Sequence, residues 1–145
     1  MTALFVLAAG LWVGAIVFQS AVVAPSVFPN VSAEDAKRLL RTIFPRFYVL
    51  GLACGAVMLA TAGVAALREG AGGKLPALLA ITAVMVALNA VSLWLVPRIN
   101  RARDAHAERR FQRLHGVSVA LTLAVLALGC TAIVAAAGSP LGGVA

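Results

Sequence analysis

The stretch LPALLAITAVMVALNAVSLWLV, from Leu75 to Val96, decides the fold. It contains no Asp, Glu, Lys or Arg. At ~1.5 Å of rise per residue, a helix of this length crosses the ~30 Å hydrocarbon core of a bilayer. Three further runs share the property: Thr2 to Val23, Phe47 to Leu67 and Leu114 to Ala137. Backbone amides in hydrocarbon must bond within their own segment, which a helix achieves. The expected fold is all-α, a four-helix transmembrane bundle running up-down-up-down, with one domain over residues 1–145.

Composition agrees. Apolar residues make up 62% of the 145, against ~45–50% in soluble domains. The net charge is +7. In a soluble chain that would suggest nucleic acid, but no aromatic residues interleave the arginines and no nucleic-acid motif occurs. The expected partner is a bilayer with anionic headgroups, and no nucleic acid. The first run lacks the basic flank of a signal peptide and exceeds its apolar length, so it is expected to stay as a span.

The basic residues are lopsided. Lys37, Arg38, Arg41 and Arg46 fall between runs one and two; Arg98, Arg101, Arg103, Arg109, Arg110 and Arg113 fall between three and four; only Arg68 and Lys74 fall between two and three. Basic loops stay cytoplasmic. The expectation is an integral protein of a bacterial inner membrane, with both termini outside and loops one and three cytoplasmic.

Pro25 and Pro29 are expected to end the first span. Ser32 three residues before Asp35 reads as a helix N-cap. Ala36, Leu39, Leu40, Ile43 and Phe44 then recur at helical spacing, with Lys37, Arg38 and Arg41 on the other face. This predicts an amphipathic helix over about 33–44, its three cations among lipid headgroups, interrupted by Pro45. Asp104 is the expected cap of the last helix. Gly138 and Pro140 are expected to stop it, ahead of a disordered tail. Gly10 and Gly14, Gly51 and Gly55, and Gly116 with Ala120 mark faces where helices approach closely. Trp94 and Tyr48 are expected in an aromatic belt. Trp12 lies mid-span, so its indole N–H is expected to face the bundle interior. Cys54 and Cys130 lie at depths ~13 Å apart, too far for a disulfide.

The polar residues inside the spans are the candidates for function: Gln19, Asn89, Ser92, His115, Ser118 and Thr122. All fall toward the basic end. His115, Ser118 and Thr122 share a helical face, which membrane cost should turn inward toward Gln19 or Asn89. Either they bond between helices and fix register, or they line a small cavity. The spans offer no Asp, Glu or second His, which argues against zinc. No catalytic triad, P-loop or dinucleotide pattern occurs. No catalytic residue, metal ligand or cofactor is expected. The leading class is a non-enzymatic protein that binds a partner or stabilises an assembly, whether a homo-oligomer or a complex with another membrane protein. Transport of a small solute or ion by a homo-oligomer is one alternative. A haem-binding redox bundle, with His115 and Met58 or Met85 as axial ligands, is another.

Four short segments carry a resemblance: Leu11-Trp12-Val13-Gly14, Ala24-Pro25-Ser26-Val27-Phe28, Phe44-Pro45-Arg46-Phe47-Tyr48 and Arg113-Leu114-His115-Gly116-Val117-Ser118. Together they resemble the transmembrane-protein-205-like family of small four-span membrane proteins. Thr122 stands where that pattern has Asn. The resemblance implies a four-helix membrane fold and no enzyme activity. It places Pro25, Phe28, Pro45, Tyr48, His115 and Ser118 at the cytoplasmic end.

Overall fold

In the computed structural model, which describes residues 2–70 and 72–138, the chain forms five α-helices and one π-helical turn. α1 spans Thr2–Phe18, the π-turn Gln19–Val23, α2 Ala24–Asn30, α3 Ala33–Glu69, α4 Leu75–Asp104 and α5 Glu108–Ala137. Four stretches are long and apolar enough to cross a membrane: Thr2–Asn30, Ala33–Arg68, Leu75–Asp104 and Glu108–Ala137. Pro140 and the tail lie outside the described residues.

The prolines do not act as breakers. Pro29, Pro45 and Pro97 all lie inside helices, and Pro25 sits in the first turn of α2. The amphipathic segment and the second span are therefore one 37-residue helix. An interior proline forfeits one hydrogen bond at ~3 kcal/mol. Ending a helix orphans four N–H and four C=O groups on the two sides of the break. At a bilayer boundary the single loss is the smaller one. Ahead of Pro25 the chain widens into the π-turn, with the Ala24 N–H bonding the Gln19 carbonyl. The extra residue in that turn relieves the clash of the proline ring with the carbonyl four residues back.

Local chemistry sets the other ends. Ser32 caps α3 as expected, its Oγ accepting from the Asp35 N–H at 3.1 Å, with Glu34 and Asp35 in the first turn. Gly70 and Gly73 turn the chain between α3 and α4 at φ of 83° and 60°, a region that suits glycine. Asp104 does not cap α5. It is the last residue of α4 and pairs with Lys37, at 2.9 Å, and with Arg41. Hydrogen bonds from Lys37 and then Arg41 hold its carboxyl below the ordinary value. The pair lies beyond the apolar part of α4, which ends at Val96. It is solvated, so it fixes the register of two projecting helix ends and adds little stability.

The helices pack in the cyclic order α1, α3, α4, α5. Loops α2–α3 and α4–α5 share one end, the basic end. Trp12, Phe5, Met58, Leu78 and Met85 are fully buried at the centre. Trp12 rests on Gly51 and Gly55 of α3. A Cβ at Gly51 would lie 2.6 Å from Trp12 Nε1, and one at Gly55 would lie 2.4 Å from Val86 Cγ2. Gly129, which the glycine pattern missed, is equally tight, at 2.6 Å from Val13 Cγ2. Gly10, Gly14 and Gly116 meet nothing within 4 Å among the described residues. The close-packing role expected for these three does not operate within one chain, because their faces point outward. Both cysteines are free, Cys54 buried and Cys130 exposed.

Candidate functional site: a polar cavity at the basic end

Five elements converge on a cavity of about 290 Å³ near the basic end. The π-turn and the start of α2 contribute Gln19, Ser20 and Ala24. α3 contributes Leu40, Phe44, Phe47 and Tyr48. Val96, Ile99 and Asn100 come from α4, and His115, Ser118, Val119, Thr122 and Leu123 from α5. Ser20, Val119 and Leu123 are exposed, so the cavity opens sideways between the π-turn and α5. Its wall is apolar and aromatic, with a few polar groups. None of its lining residues is Asp, Glu, Lys or Arg.

Tyr48 is the hub of the polar groups. Its hydroxyl and that of Ser118 share a 2.9 Å hydrogen bond across the bundle, with both residues buried. Its backbone carbonyl accepts the Asn89 Nδ2 amide at 2.8 Å. Thr122 donates to the Ser118 carbonyl at 2.9 Å. Ser92 bonds its own helix, donating to the Leu88 carbonyl at 3.1 Å.

Gln19 differs from the rest. It is only 8% exposed, and its Nε2 is buried with no hydrogen-bond partner. Arg41 Nε is the other such nitrogen among the described residues, but its guanidinium already pairs with Asp104. An unsatisfied buried amide costs about 1–3 kcal/mol.

The sequence expectations resolve individually. The structure brings Gln19, His115, Ser118 and Thr122 to one cavity. Asn89 joins through the Tyr48 backbone, with its Oδ1 beside Gly51. Ser92 stands apart. His115 is exposed and does not turn into the core. Its ring stacks on Phe111, with centroids 5.6 Å apart and planes 5° from parallel, at the edge of the cavity. It reaches neither Gln19 nor Asn89 by a hydrogen bond. Nor does it meet a methionine. Met58 lies ~15 Å of helix rise from Tyr48, and Met85 packs at Gly129, ~16 Å along α5 from Ser118. Among the described residues no three of His, Cys, Asp and Glu gather as a metal site. Lys37 and Arg41 engage Asp104, while Arg38 is exposed. Tyr48 was read as part of an aromatic belt, yet it is buried. Its place was legible: Tyr48, Gly51 and Gly55 follow i, i+3, i+7 on one face of α3. Asn100 was also missed, since it lies beyond the apolar run that ends at Val96.

Four helical spans, packed around a small and mostly apolar cavity, make this a multi-pass integral membrane protein. The chain belongs to the family described as Domain of unknown function (DUF4149), whose model matches residues 7–108. The match takes in α1 to α4 and stops at the first residue of α5. Comparison with curated proteins gave no match, and comparison with solved structures gave none.

Proposed function

We propose that this protein is a non-enzymatic membrane protein that acts by binding a partner molecule in the cavity at its basic end. The observation that carries this reading is the cavity itself, whose lining includes Gln19, a residue with a buried amide nitrogen that has no hydrogen-bond partner among the described residues. The occupant is an uncharged molecule with an apolar body and a hydrogen-bond acceptor for that amide. An apolar wall with a few placed polar groups is the usual chemistry of a small-molecule site. A charged occupant would meet no countercharge in the lining. The resemblance to the transmembrane-protein-205-like family supports the same location, since Tyr48, His115 and Ser118 of its segments line the cavity. Native mass spectrometry of protein extracted gently from its own membranes tests the reading. A stoichiometric small-molecule adduct, displaced when Ser118→Phe fills the cavity, is expected. Adduct-free protein with full thermal stability would count against it.

In this reading both termini lie outside and the basic end faces the cytoplasm of a bacterial cell, following the charge imbalance. A reporter active only in the periplasm should be active when fused after Ala145 and silent when inserted near Arg103. The reverse pattern would overturn the orientation.

A second copy of this chain is a further partner, favoured by the open faces of Gly10 and Gly14. Gly14→Ile should leave the monomer's thermal stability within about 0.5 kcal/mol, as expected away from packed features, while removing self-association in a membrane dimerisation assay. Unchanged association would exclude this face.

A further inference from the structure

We propose that Arg98, Arg101 and Arg110 form a binding site for a phosphate group, separate from the uncharged cavity. The three line a second pocket of about 300 Å³ between the end of α4 and the start of α5, together with Ala102, Ala105 and Ala107. The helical register makes it so. Arg98, Arg101, Ala102 and Ala105 stand at i, i+3, i+4 and i+7 on one face of α4, and Ala107 and Arg110 stand at i, i+3 at the start of α5. The small side chains of the alanines leave the pocket between the two helix ends unfilled.

No carboxylate lines this pocket. Asp104 pairs with Lys37 and Arg41, while Glu108 bonds the neutral Gln112 and Asp35 the neutral Ser32. Three arginines thus line one pocket that no carboxylate lines. Two of them are also held in place. The Arg98 guanidinium lies 3.1 Å from the centre of the Trp94 ring and donates to the Trp94 carbonyl at 2.9 Å. Arg101 Nε donates to the Pro97 carbonyl at 3.3 Å. A guanidinium has five N–H donors, so these bonds leave most of them for a ligand. Arg forks match phosphate oxygens in a bidentate way.

The level suits a headgroup. Arg98 and Arg101 lie ~3 Å and ~8 Å of helix rise beyond Val96, within the polar layer that flanks the hydrocarbon core. Basic pockets between transmembrane helices are a known form of phospholipid headgroup site. Lys37 and Arg41, the cations first expected among headgroups, are partly neutralised by Asp104, whereas this trio is not.

The phosphate can come from a lipid headgroup or from solution, and the test separates these sources. The full-length protein in neutral detergent is titrated with phosphatidylglycerol, phosphatidylcholine or inorganic phosphate, and bound adducts are read by native mass spectrometry. A saturable phosphatidylglycerol adduct is expected, at least tenfold tighter than phosphatidylcholine. Arg101→Gln with Arg110→Gln should weaken it at least tenfold. Arg38→Gln with Arg46→Gln changes the charge equally on other parts of the surface and should alter it less than twofold. Arg110→Gln alone should weaken the adduct without touching the fold, because the Arg110 side chain holds nothing in the structure. Displacement of the lipid by millimolar inorganic phosphate would assign the site to free phosphate, and resistance to it would assign the site to lipid. Equal loss in both double variants, or no preference for the anionic lipid together with no phosphate binding, would overturn the proposal.

Discussion

Gly51→Val should destabilise the bundle by roughly 3 kcal/mol, the upper range for overpacking a tight site. The first added carbon would already lie 2.6 Å from Trp12 Nε1 and 2.9 Å from Asn89 Oδ1. Neither neighbour can retreat cheaply. Trp12 is 1% exposed, with the indole also closed in over Gly55, and Asn89 is tied to the Tyr48 carbonyl. In lipid, apolar burial gives helices little reason to associate, so van der Waals fit carries much of the assembly. Gly10→Val is the matched control, with the same substitution on an open face, and should cost under about 0.5 kcal/mol. Thermal unfolding in detergent checks both. Equal melting of the two variants would show that Trp12 is not seated on Gly51.

That contrast also marks how far the sequence could be read. Four apolar runs near 20 residues establish four spans, because hydrocarbon leaves the backbone few alternatives. A glycine pair identifies a helix face but not its neighbour. On α3 the pair meets Trp12; on α1 it meets nothing within 4 Å among the described residues. The prolines misled for an energetic reason. Pro45 reads as a boundary by local preference, but the loss of one hydrogen bond is smaller than the exposure of two helix ends at a membrane surface. The π-turn ahead of Pro25 left no mark in the hydrophobic pattern, since it changes the hydrogen-bond register and not the polarity.

The candidate site was half legible. Membrane cost singled out Gln19, Ser118 and Thr122, and they do share a cavity. His115 followed the same logic and came out exposed, because it sits close enough to the helix end for its ring to rest on Phe111 in the interfacial layer. Tyr48 escaped because a tyrosine near a span end has a ready explanation at the interface. Only the partner across the bundle, Ser118, shows that its hydroxyl turns inward.

On the proposed reading, Gln19 serves an occupant of the cavity and not the fold. Were it structural, its amide would be bonded, as those of Asn89 and the hydroxyls of Ser118 and Thr122 are. Gln19→Leu tests this most directly, because leucine keeps much of the bulk and removes a buried donor with no partner. Thermal unfolding and native mass spectrometry are measured together on this variant and on the wild type, each extracted from its own membranes. Ligand-free Gln19→Leu should be more stable than ligand-free wild type, by about 1–3 kcal/mol, and should retain the bound molecule at least tenfold less well. A variant that is less stable than wild type, or one that keeps the adduct undiminished, would contradict this reading.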